Sequence, residues 1–445
     1  MSDAPPPRSS VRPGDTLEVD IEKGVYRGLG LARHQGQVVL VPRALPGDRL
    51  RVRVESVERG FLRARAEAVL APAPHRRPSP CPYADRCGGC AYQELAYPEQ
   101  LCLKEAVLRE SLSRARVAWD GPIPLTGSPE EGWRTRASLH FEQRGDVLLL
   151  GLHEEGTHRV VDLPRCLQLG GPMMRAARTL LEELRRRPQR ARAIGQVDLA
   201  ESIDGTQLVV SLETELDTKG AVALSGLAGA MPGVTGFGVV AGDGRRRRFL
   251  PLHGDPHVRS TVAGTTLRAH VRSFFQANRF LVEPVAACVL DLTPPGGSVV
   301  DLYAGVGLFA LALARRSDRV RLAEVNPIAV EDARWNAEQA GLSNVELHRG
   351  DVREALSSWP PDPGERVVLD PPRAGAGAEV VKLLAARRPE AIVYVSCDPA
   401  TLARDLKLFE AEGYGPDVVR AFDLFPDTFH LEAVVRLVRQ KPQAT

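Results

Sequence analysis

The sequence predicts a multidomain α/β protein, with an OB-like β-barrel at residues 10–72, a β-rich central domain at 73–260 and a doubly wound α/β domain at 261–445. Three observations predict this organisation. Short strand patterns broken by glycines fill the N-terminal segment, and a cysteine-rich segment with further alternating strands follows it. In the last segment, buried strand patterns alternate with helical ones. That alternation is typical of a parallel sheet, which binds ligands at the carboxyl ends of its strands.

The composition is that of a globular protein in water, with 43% hydrophobic and 26% charged residues among 445. The formal net charge of +2 is too small to indicate nucleic-acid binding by itself. The first ten residues, MSDAPPPRSS, lack the apolar centre of a secretion signal, and no stretch reaches the roughly 18 apolar residues of a membrane span. We therefore expect a cytoplasmic protein without membrane attachment, and nothing in the sequence indicates an obligate protein partner.

The N-terminal segment reads as short strands. Residues 17–21, 37–42 and 49–57 alternate or run apolar, and Leu-Pro-Gly-Asp at 45–48 supplies a turn. This length suits a small barrel of five strands. The proline-rich stretch PAPHRRPSP, at 72–80, predicts a linker that ends the barrel.

A cysteine cluster follows the linker in the run CPYADRCGGC. Cys81, Cys87 and Cys90 have the spacing C-x5-C-x2-C. This differs from the C-x3-C-x2-C of radical S-adenosylmethionine enzymes. Three thiols this close in a protein with only seven cysteines indicate a metal site that needs a fourth ligand. Cys166 is the best candidate for that ligand, and Cys102 is the alternative. Four thiolates hold either zinc or an iron–sulfur cluster, and the spacing does not separate the two.

The central region combines strand patterns at 133–141, 147–152 and 208–213 with a helical pattern at 172–187. Arginines concentrate in it, at residues 185–187, 190, 192 and 245–248. Such runs would suit a phosphate track, although a solvated face is the commoner role of a charge run.

The last third begins with a strand, a glycine-rich turn and a helix in SVVDLYAGVGLFALALARR, at 298–316. Gly305 and Gly307 allow the backbone to approach a ligand closely. With Ala310 in the place of a third glycine, the spacing suits a nicotinamide dinucleotide as well as S-adenosylmethionine. Glu324, at the end of the next strand, would accept hydrogen bonds from a ribose in either case.

The motif Asp370-Pro371-Pro372-Arg373 separates these two readings, because dinucleotide dehydrogenases have no use for it. Methyltransferases keep an acidic or amide residue before Pro-Pro beside the transferable methyl group. In amino-methylating enzymes an aromatic residue ends the motif, whereas Arg373 stands there in this chain.

A candidate nucleophile, Cys397, follows the buried strand pattern at 391–395. Asp398 offers a helix N-cap and Pro399 suits the first helical turn. We expect the positive end of that helix to favour the thiolate of Cys397.

Several stretches together resemble the RNA 5-methyluridine (uracil-C5) methyltransferases. These are the N-terminal GVYRGLGLARHQGQVVLVPRALPGDRL, similar to a TRAM domain, and FFQAN, DLYAGVGLF, DPPRAG, SCDPATLARDL and DLFPDTFHLE. The resemblance covers nearly the whole chain. It is nearest to the enzymes that modify 23S rRNA and carry a TRAM domain and a [4Fe-4S] cluster. Ala304 departs from the cysteine of many members, but the turn does not need that thiol.

The resemblance implies a Rossmann-like catalytic domain that uses S-adenosylmethionine, and a role for each matching residue. It implies a [4Fe-4S] cluster on Cys81, Cys87, Cys90 and Cys166. The implied contacts to S-adenosylmethionine are Gln276, Tyr303, Gly305, Glu324, Asp351 and Asp370. Cys397 would be the nucleophile and Glu432 the base.

The expected partner is RNA, with 23S rRNA ahead of tRNA. Two other classes of protein remain as alternatives, a nicotinamide-dependent oxidoreductase with an electron-carrying cluster and a non-catalytic RNA-binding protein. The Asp370 motif argues against the first alternative. The presence of both a nucleophile and a base argues against the second.

Overall fold

The N-terminal segment folds into a six-stranded sheet in the computed structural model, which describes residues 11–242 and 247–440. The strands are β1 (Thr16–Asp20), β2 (Lys23–Val25), β3 (Leu29–His34), β4 (Gln37–Pro42), β5 (Arg49–Glu58) and β6 (Phe61–Ala71). Their order is β1-β5-β6-β4-β3-β2. Buried and exposed residues alternate along β1 and β5, so one face forms the core. The expected number of five strands was wrong by one, because the three residues of β2 are too few to show an alternation.

The central region forms a seven-stranded sheet with order β10-β9-β8-β11-β12-β13-β14. The elements that follow the barrel are α1 (Tyr97–Arg114), β7 (Leu125–Thr126), β8 (Arg136–Arg144), β9 (Val147–His153), β10 (Val160–Asp162), α2 (Gly171–Arg185), α3 (Pro188–Ala191), β11 (Ile194–Glu201), β12 (Leu208–Thr214), α4 (Thr218–Val222), a 3₁₀ turn (Ser225–Ala230), β13 (Gly236–Ala241), β14 (Arg248–Gly254), β15 (His257–Val262) and β16 (Thr265–His270). The helix α2 buries Met173, Leu180 and Leu184 in the core of this sheet. The β-rich expectation is confirmed.

The C-terminal part is a doubly wound sheet, as predicted. Its elements are α5 (Val282–Leu292), β17 (Ser298–Leu302), α6 (Leu308–Ala314), β18 (Arg319–Glu324), α7 (Pro327–Gln339), β19 (Val345–Arg349), α8 (Val352–Ser358), β20 (Arg366–Leu369), α9 (Gly377–Arg387), β21 (Ala391–Ser396), α10 (Pro399–Ala411), β22 (Tyr414–Phe422) and β23 (Glu432–Arg439). The order is β19-β18-β17-β20-β21-β23-β22-β7, with β17 to β21 parallel. The chain reverses its direction of winding between β17 and β20, so a ligand site is expected at the carboxyl ends of these strands.

The segment that contains α1 and β7 packs against the C-terminal sheet, although its sequence position assigned it to the central region. The strand β7 pairs in parallel with β22, and α1 buries Leu108 and Leu112 in the core of the C-terminal sheet. The segment therefore adds to the doubly wound C-terminal part, although it lies within the range 73–260. No alternating pattern announces this placement, because β7 has only two residues. The division at 72 and 260 stays a prediction.

Within residues 11–242 and 247–440, no helix combines the length and the apolar character that a bilayer crossing requires.

Candidate active site and cysteine cluster

The glycine-rich turn after β17 leaves open space beside its backbone. Tyr303, Gly305 and Gly307 all have positive φ, of 62°, 57° and 91°. For Tyr303 this left-handed conformation is strained, which is a feature of ligand-binding turns. A Cβ on Gly305 would meet no atom within 4 Å. The turn thus presents bare backbone to a cavity.

Glu324, at the end of β18, holds this turn in place. Its Oε2 accepts a hydrogen bond from Gly305 N at 2.9 Å, and its Oε1 accepts one from Asn326 N at 2.7 Å. The carboxylate therefore lies at the edge predicted for a ribose-binding acid.

A second segment closes the cavity from the other side. Gln276, Tyr303, Gly305 and Asp370 line one cavity together, with Phe274 beside them. Gln276 Nε2 donates to Asp370 Oδ2 at 3.2 Å. Amide donors, carboxylates and open backbone fit the sulfonium, the ribose and the amino-acid end of S-adenosylmethionine.

Asp351 is the N-cap of α8 and accepts a hydrogen bond from Arg353 N at 2.9 Å. Burial, and next the charge of Asp351, raise the pKa of Tyr303 to about 12. Asp351 follows Gly350, whose N donates to Glu324 O at 3.0 Å, so Asp351 lies beside the strand end that bears Glu324. The structure brings the six residues expected to contact S-adenosylmethionine into one region.

Cys397 and Glu432 come together through the register of two antiparallel strands. Ser396 pairs with Ala433 at the last position of the β21–β23 ladder. Cys397 follows Ser396, and Glu432 precedes Ala433, so both lie at the same end of the pair. Glu432 is buried, with 2% of its surface exposed.

The surroundings of Cys397 favour its thiol over its thiolate. Burial, and next the charges of Glu432 and Asp370, raise its pKa to about 12, whereas the charge of Arg373 acts to lower it. Asp398 caps α10 by accepting from Ala400 N at 3.0 Å and Thr401 N at 2.9 Å, as predicted. The expectation that this helix end favours a thiolate was nevertheless wrong. Burial and two carboxyl groups outweigh the partial charge of a helix N-terminus.

The two carboxyl groups beside Cys397 also have raised pKa values. Burial raises the pKa of Asp370 to about 7, against a hydrogen bond from Gln276. Burial, and next the charge of Asp370, raise the pKa of Glu432 well above its ordinary value. Near neutral pH the pair therefore holds a proton, a state that suits proton transfer to and from a substrate.

Three further residues surround this site without having been assigned a role from the sequence. Arg373 donates to His430 Nε2 at 3.1 Å. Burial, and next the charge of Arg373, lower the pKa of His430 to about 4, so the neutral ring accepts that bond. Phe274 is 67% exposed beside the cofactor cavity. The motifs DPPR, DLFPDTFHLE and FFQAN contained all three, but only their position in the structure indicates a role.

The four cysteines expected to bind a cluster line one small cavity, and Cys102 does not join them. Cys102 is exposed on α1, which excludes it as the fourth member of this group. Burial raises the pKa of Cys90 to about 12. Among the residues that the structure describes, however, no three His, Cys, Asp or Glu side chains have the spacing that holds a metal ion.

N–H groups donate to two of the four sulfurs that line this cavity. Cys90 Sγ accepts from Gln168 Nε2 at 3.1 Å and from Gln93 Nε2 at 3.5 Å. Cys87 Sγ accepts from Gly89 N at 3.4 Å. Four thiols in one cavity are a donor set that fits either zinc or an iron–sulfur cluster, and N–H donors to sulfur tune such sites.

The arginine runs are mostly engaged within the chain. Arg186 and Arg187 pair with Glu183, and Arg185 donates to Leu148 O. Arg247 Nη2 donates to Thr214 O at 3.1 Å. Arg245 and Arg246 lie outside the described residues. These contacts favour a structural role over a phosphate track for the engaged side chains.

Comparison with protein families gives two matches. The TRAM domain model matches residues 10–66. The model described as tRNA (Uracil-5-)-methyltransferase matches residues 96–358 and 363–440. Together they cover the barrel, most of the central region and the doubly wound domain.

Individual proteins resemble the chain over nearly its full length. An uncharacterized RNA methyltransferase of Halalkalibacterium halodurans is 30% identical, covering 97% of this chain and 98% of the relative. The 23S rRNA (uracil(1939)-C(5))-methyltransferase of Alcanivorax borkumensis is 31% identical, covering 95% of this chain and 96% of the relative. Among solved structures, the tRNA (uracil-54, C5)-methyltransferase of Pyrococcus abyssi in complex with S-adenosyl-L-homocysteine has a TM-score of 0.75 at 27% identity. That match covers 94% of this chain and 99% of the other.

Proposed function

Since the chain belongs to the family of S-adenosylmethionine-dependent RNA uracil-C5 methyltransferases and carries a TRAM domain, we propose that it methylates a uridine of 23S rRNA through a covalent bond between Cys397 and the base. The observation that carries the covalent part is the placement of Cys397 and Glu432 at one end of the β21–β23 pair, beside Asp370. C5 of uracil is too weak a nucleophile to take a methyl group unaided. Addition of a sulfur to C6 turns the C5–C6 edge into an enolate, which makes C5 nucleophilic.

Each catalytic side chain then has a defined task. Cys397 attacks C6, and its proton passes by way of Asp370 to solvent, so that a carboxylate remains for the later step; the raised pKa of Cys397 means that this proton must be removed. Arg373 favours the anionic sulfur. Glu432 removes the C5 proton after methylation, so that the C6–sulfur bond breaks and the product leaves. The raised pKa of Glu432 suits that proton acceptor.

S-adenosylmethionine supplies an electrophilic methyl group when it is bound. Gln276, Tyr303, Gly305, Glu324, Asp351 and Asp370 would hold it against the carboxyl ends of β17, β18 and β20. The target base must leave its stack to reach Cys397, because the reacting edge is covered within a helix. The exposed ring of Phe274 at the cavity is suited to contact an unstacked base.

The choice of 23S rRNA follows the 31% identical relative that is named for that substrate. The P. abyssi structure favours tRNA as a second candidate, because it matches the chain over 94% of its length. Mapping 5-methyluridine in rRNA and tRNA from a strain without this gene decides between them. Loss of the modification from 23S rRNA alone supports the first, and loss from tRNA alone supports the second.

Cys81, Cys87, Cys90 and Cys166 would hold a [4Fe-4S] cluster. The proposal is supported by their shared cavity and by the N–H donors to Cys87 and Cys90. Such a cluster would crosslink the segment before α1 to the turn before α2. Its role is proposed as structural, and no catalytic step requires it.

A further inference from the structure

The barrel reaches into the catalytic site through the turn between β2 and β3. The Tyr26 hydroxyl donates a hydrogen bond to Asp398 Oδ2 at 2.8 Å. Asp398 directly follows Cys397, and its other oxygen caps α10. The carboxylate of Asp398 is thus fixed by helix amides on one side and by a barrel residue on the other.

The same turn also touches the loop that leads to Glu432. The Tyr26 ring packs edge-on against Phe429, with ring centroids 5.8 Å apart and an interplanar angle of 86°. Phe429 in turn packs against His430 at 4.2 Å. Gly28 allows this approach, because a Cβ there would lie 2.8 Å from Ala91 Cβ and 3.4 Å from Phe429.

We propose that Tyr26 is a positioning residue for the methylation reaction, which orients the Cys397–Asp398 turn and the Phe429–Glu432 loop relative to each other. The proposal rests on the nucleophilic role of Cys397. It assigns the barrel a task in the chemical step, in addition to any contact with RNA. Neither loop is linked to the barrel by sequence proximity, since Tyr26 and Asp398 are 372 positions apart.

The structure explains why one hydroxyl can matter here. Without it, the buried carboxylate of Asp398 loses the donor to Oδ2, and the Cys397 turn keeps the helix cap and the bond from Asp398 N to Ser396 Oγ. A small displacement of a nucleophile from its attack geometry can reduce a rate by roughly tenfold to a hundredfold. The Tyr26→Phe variant keeps the ring against Phe429 and removes only this bond.

The test uses the full-length protein and compares wild type, Tyr26→Phe and Tyr414→Phe. Tyr414 is the matched control, because its hydroxyl donates to Pro389 O at 2.9 Å, away from the site. We expect kcat of Tyr26→Phe to fall roughly tenfold or more, with KM for RNA and affinity for S-adenosylmethionine unchanged. The rate of adduct formation with 5-fluorouridine RNA should fall by the same factor. Tyr414→Phe should keep the wild-type kcat.

The Asp398→Ser background shows whether the effect passes through Asp398. Serine still caps a helix, but it is too short to reach Tyr26. Adding Tyr26→Phe to Asp398→Ser should then cause no further loss of kcat. An unchanged kcat in Tyr26→Phe, a rise in KM for RNA alone, or full additivity with Asp398→Ser would overturn the proposal. If the wild type methylates ordinary RNA but forms no adduct with 5-fluorouridine RNA, the covalent mechanism is contradicted. The comparison of kcat values would still decide the role of Tyr26.

Discussion

Cys397 and Glu432 occupy matching positions on two antiparallel strands, one residue beyond the last pair, Ser396 with Ala433. The register that builds the sheet therefore also sets the spacing between the proposed nucleophile and the proposed base. Because both lie at strand ends rather than in long loops, the backbone ladder between β21 and β23 sets their relative position. Groups held in place in this way favour a reaction that first transfers a methyl group to C5 and then removes the C5 proton.

The first prediction concerns the proton that leaves C5. Glu432→Gln should form the bond between Cys397 and C6 and transfer the methyl group, since Asp370 remains to accept the thiol proton. It should then stall, because glutamine cannot accept the C5 proton. A methyl-labelled protein–RNA complex should survive a denaturing gel. Turnover at the wild-type rate would remove Glu432 from this role.

The second prediction concerns the stability cost of the buried Asp370. Its pKa is raised from 3.8 to about 7, so its contribution to stability is fully present below pH 4 and is lost as the pH rises through 7. Asp370→Asn does not titrate in that range. Its free energy of unfolding should exceed that of the wild type at pH 8, by a few kcal/mol at most, and the gain should disappear at pH 4.

Denaturant unfolding at the two pH values measures this difference, with Asp146→Asn on an exposed turn as the control. Equal gains at pH 4 and pH 8 would mean that the burial of a charge is not the cause. Asp370→Asn should also lose methylation activity, since the carboxylate lies in the cofactor cavity.

The third prediction concerns the cysteine cavity. Protein purified without oxygen should be brown and contain about four iron atoms per chain. Cys166→Ser should lose the iron, whereas Cys102→Ser should keep it, because Cys102 lies outside the cavity on α1. Stoichiometric zinc without iron would contradict the cluster, and iron retained in Cys166→Ser would move the fourth ligand elsewhere.

The fourth prediction concerns the exposed ring of Phe274. Base–aromatic stacking contributes roughly 1–3 kcal/mol, so Phe274→Ala should weaken RNA binding by about tenfold or more. Phe280, 42% exposed in the same segment, serves as the control, and Phe280→Ala should bind RNA nearly as the wild type does. Equal affinities for Phe274→Ala and wild type, measured by titration at fixed salt, would exclude the stacking role.

The sequence predicted the site residues best where a motif lies at the end of a predicted strand. Gly305, Asp370 and Cys397 come after buried strands and Glu324 ends one, and the parallel sheet brings such ends together. Family resemblance rather than pattern pointed to Gln276 and Glu432. The raised pKa of Cys397 was not predictable, because it depends on burial and on two carboxyl groups from other strands.

Contacts between distant parts of the chain could not be predicted from sequence patterns either. The bond from Tyr26 to Asp398 joins the barrel to a helix cap, and no local periodicity encodes it. The pairing of β7 with β22 involves only two residues of β7, too few for a period-two signal. In both cases tertiary packing decides, and only the folded chain reveals the neighbours.

The most direct measurement of the covalent mechanism uses RNA that carries 5-fluorouridine at the target position, together with S-adenosylmethionine. Fluorine at C5 cannot leave as a proton does, so the wild type should be trapped as a methylated adduct. Digestion and mass spectrometry should place that adduct on the peptide containing Cys397, and Cys397→Ala should bind the RNA without forming it. An adduct on another cysteine, or an equal yield from Cys397→Ala, would contradict the assignment of Cys397 as the nucleophile.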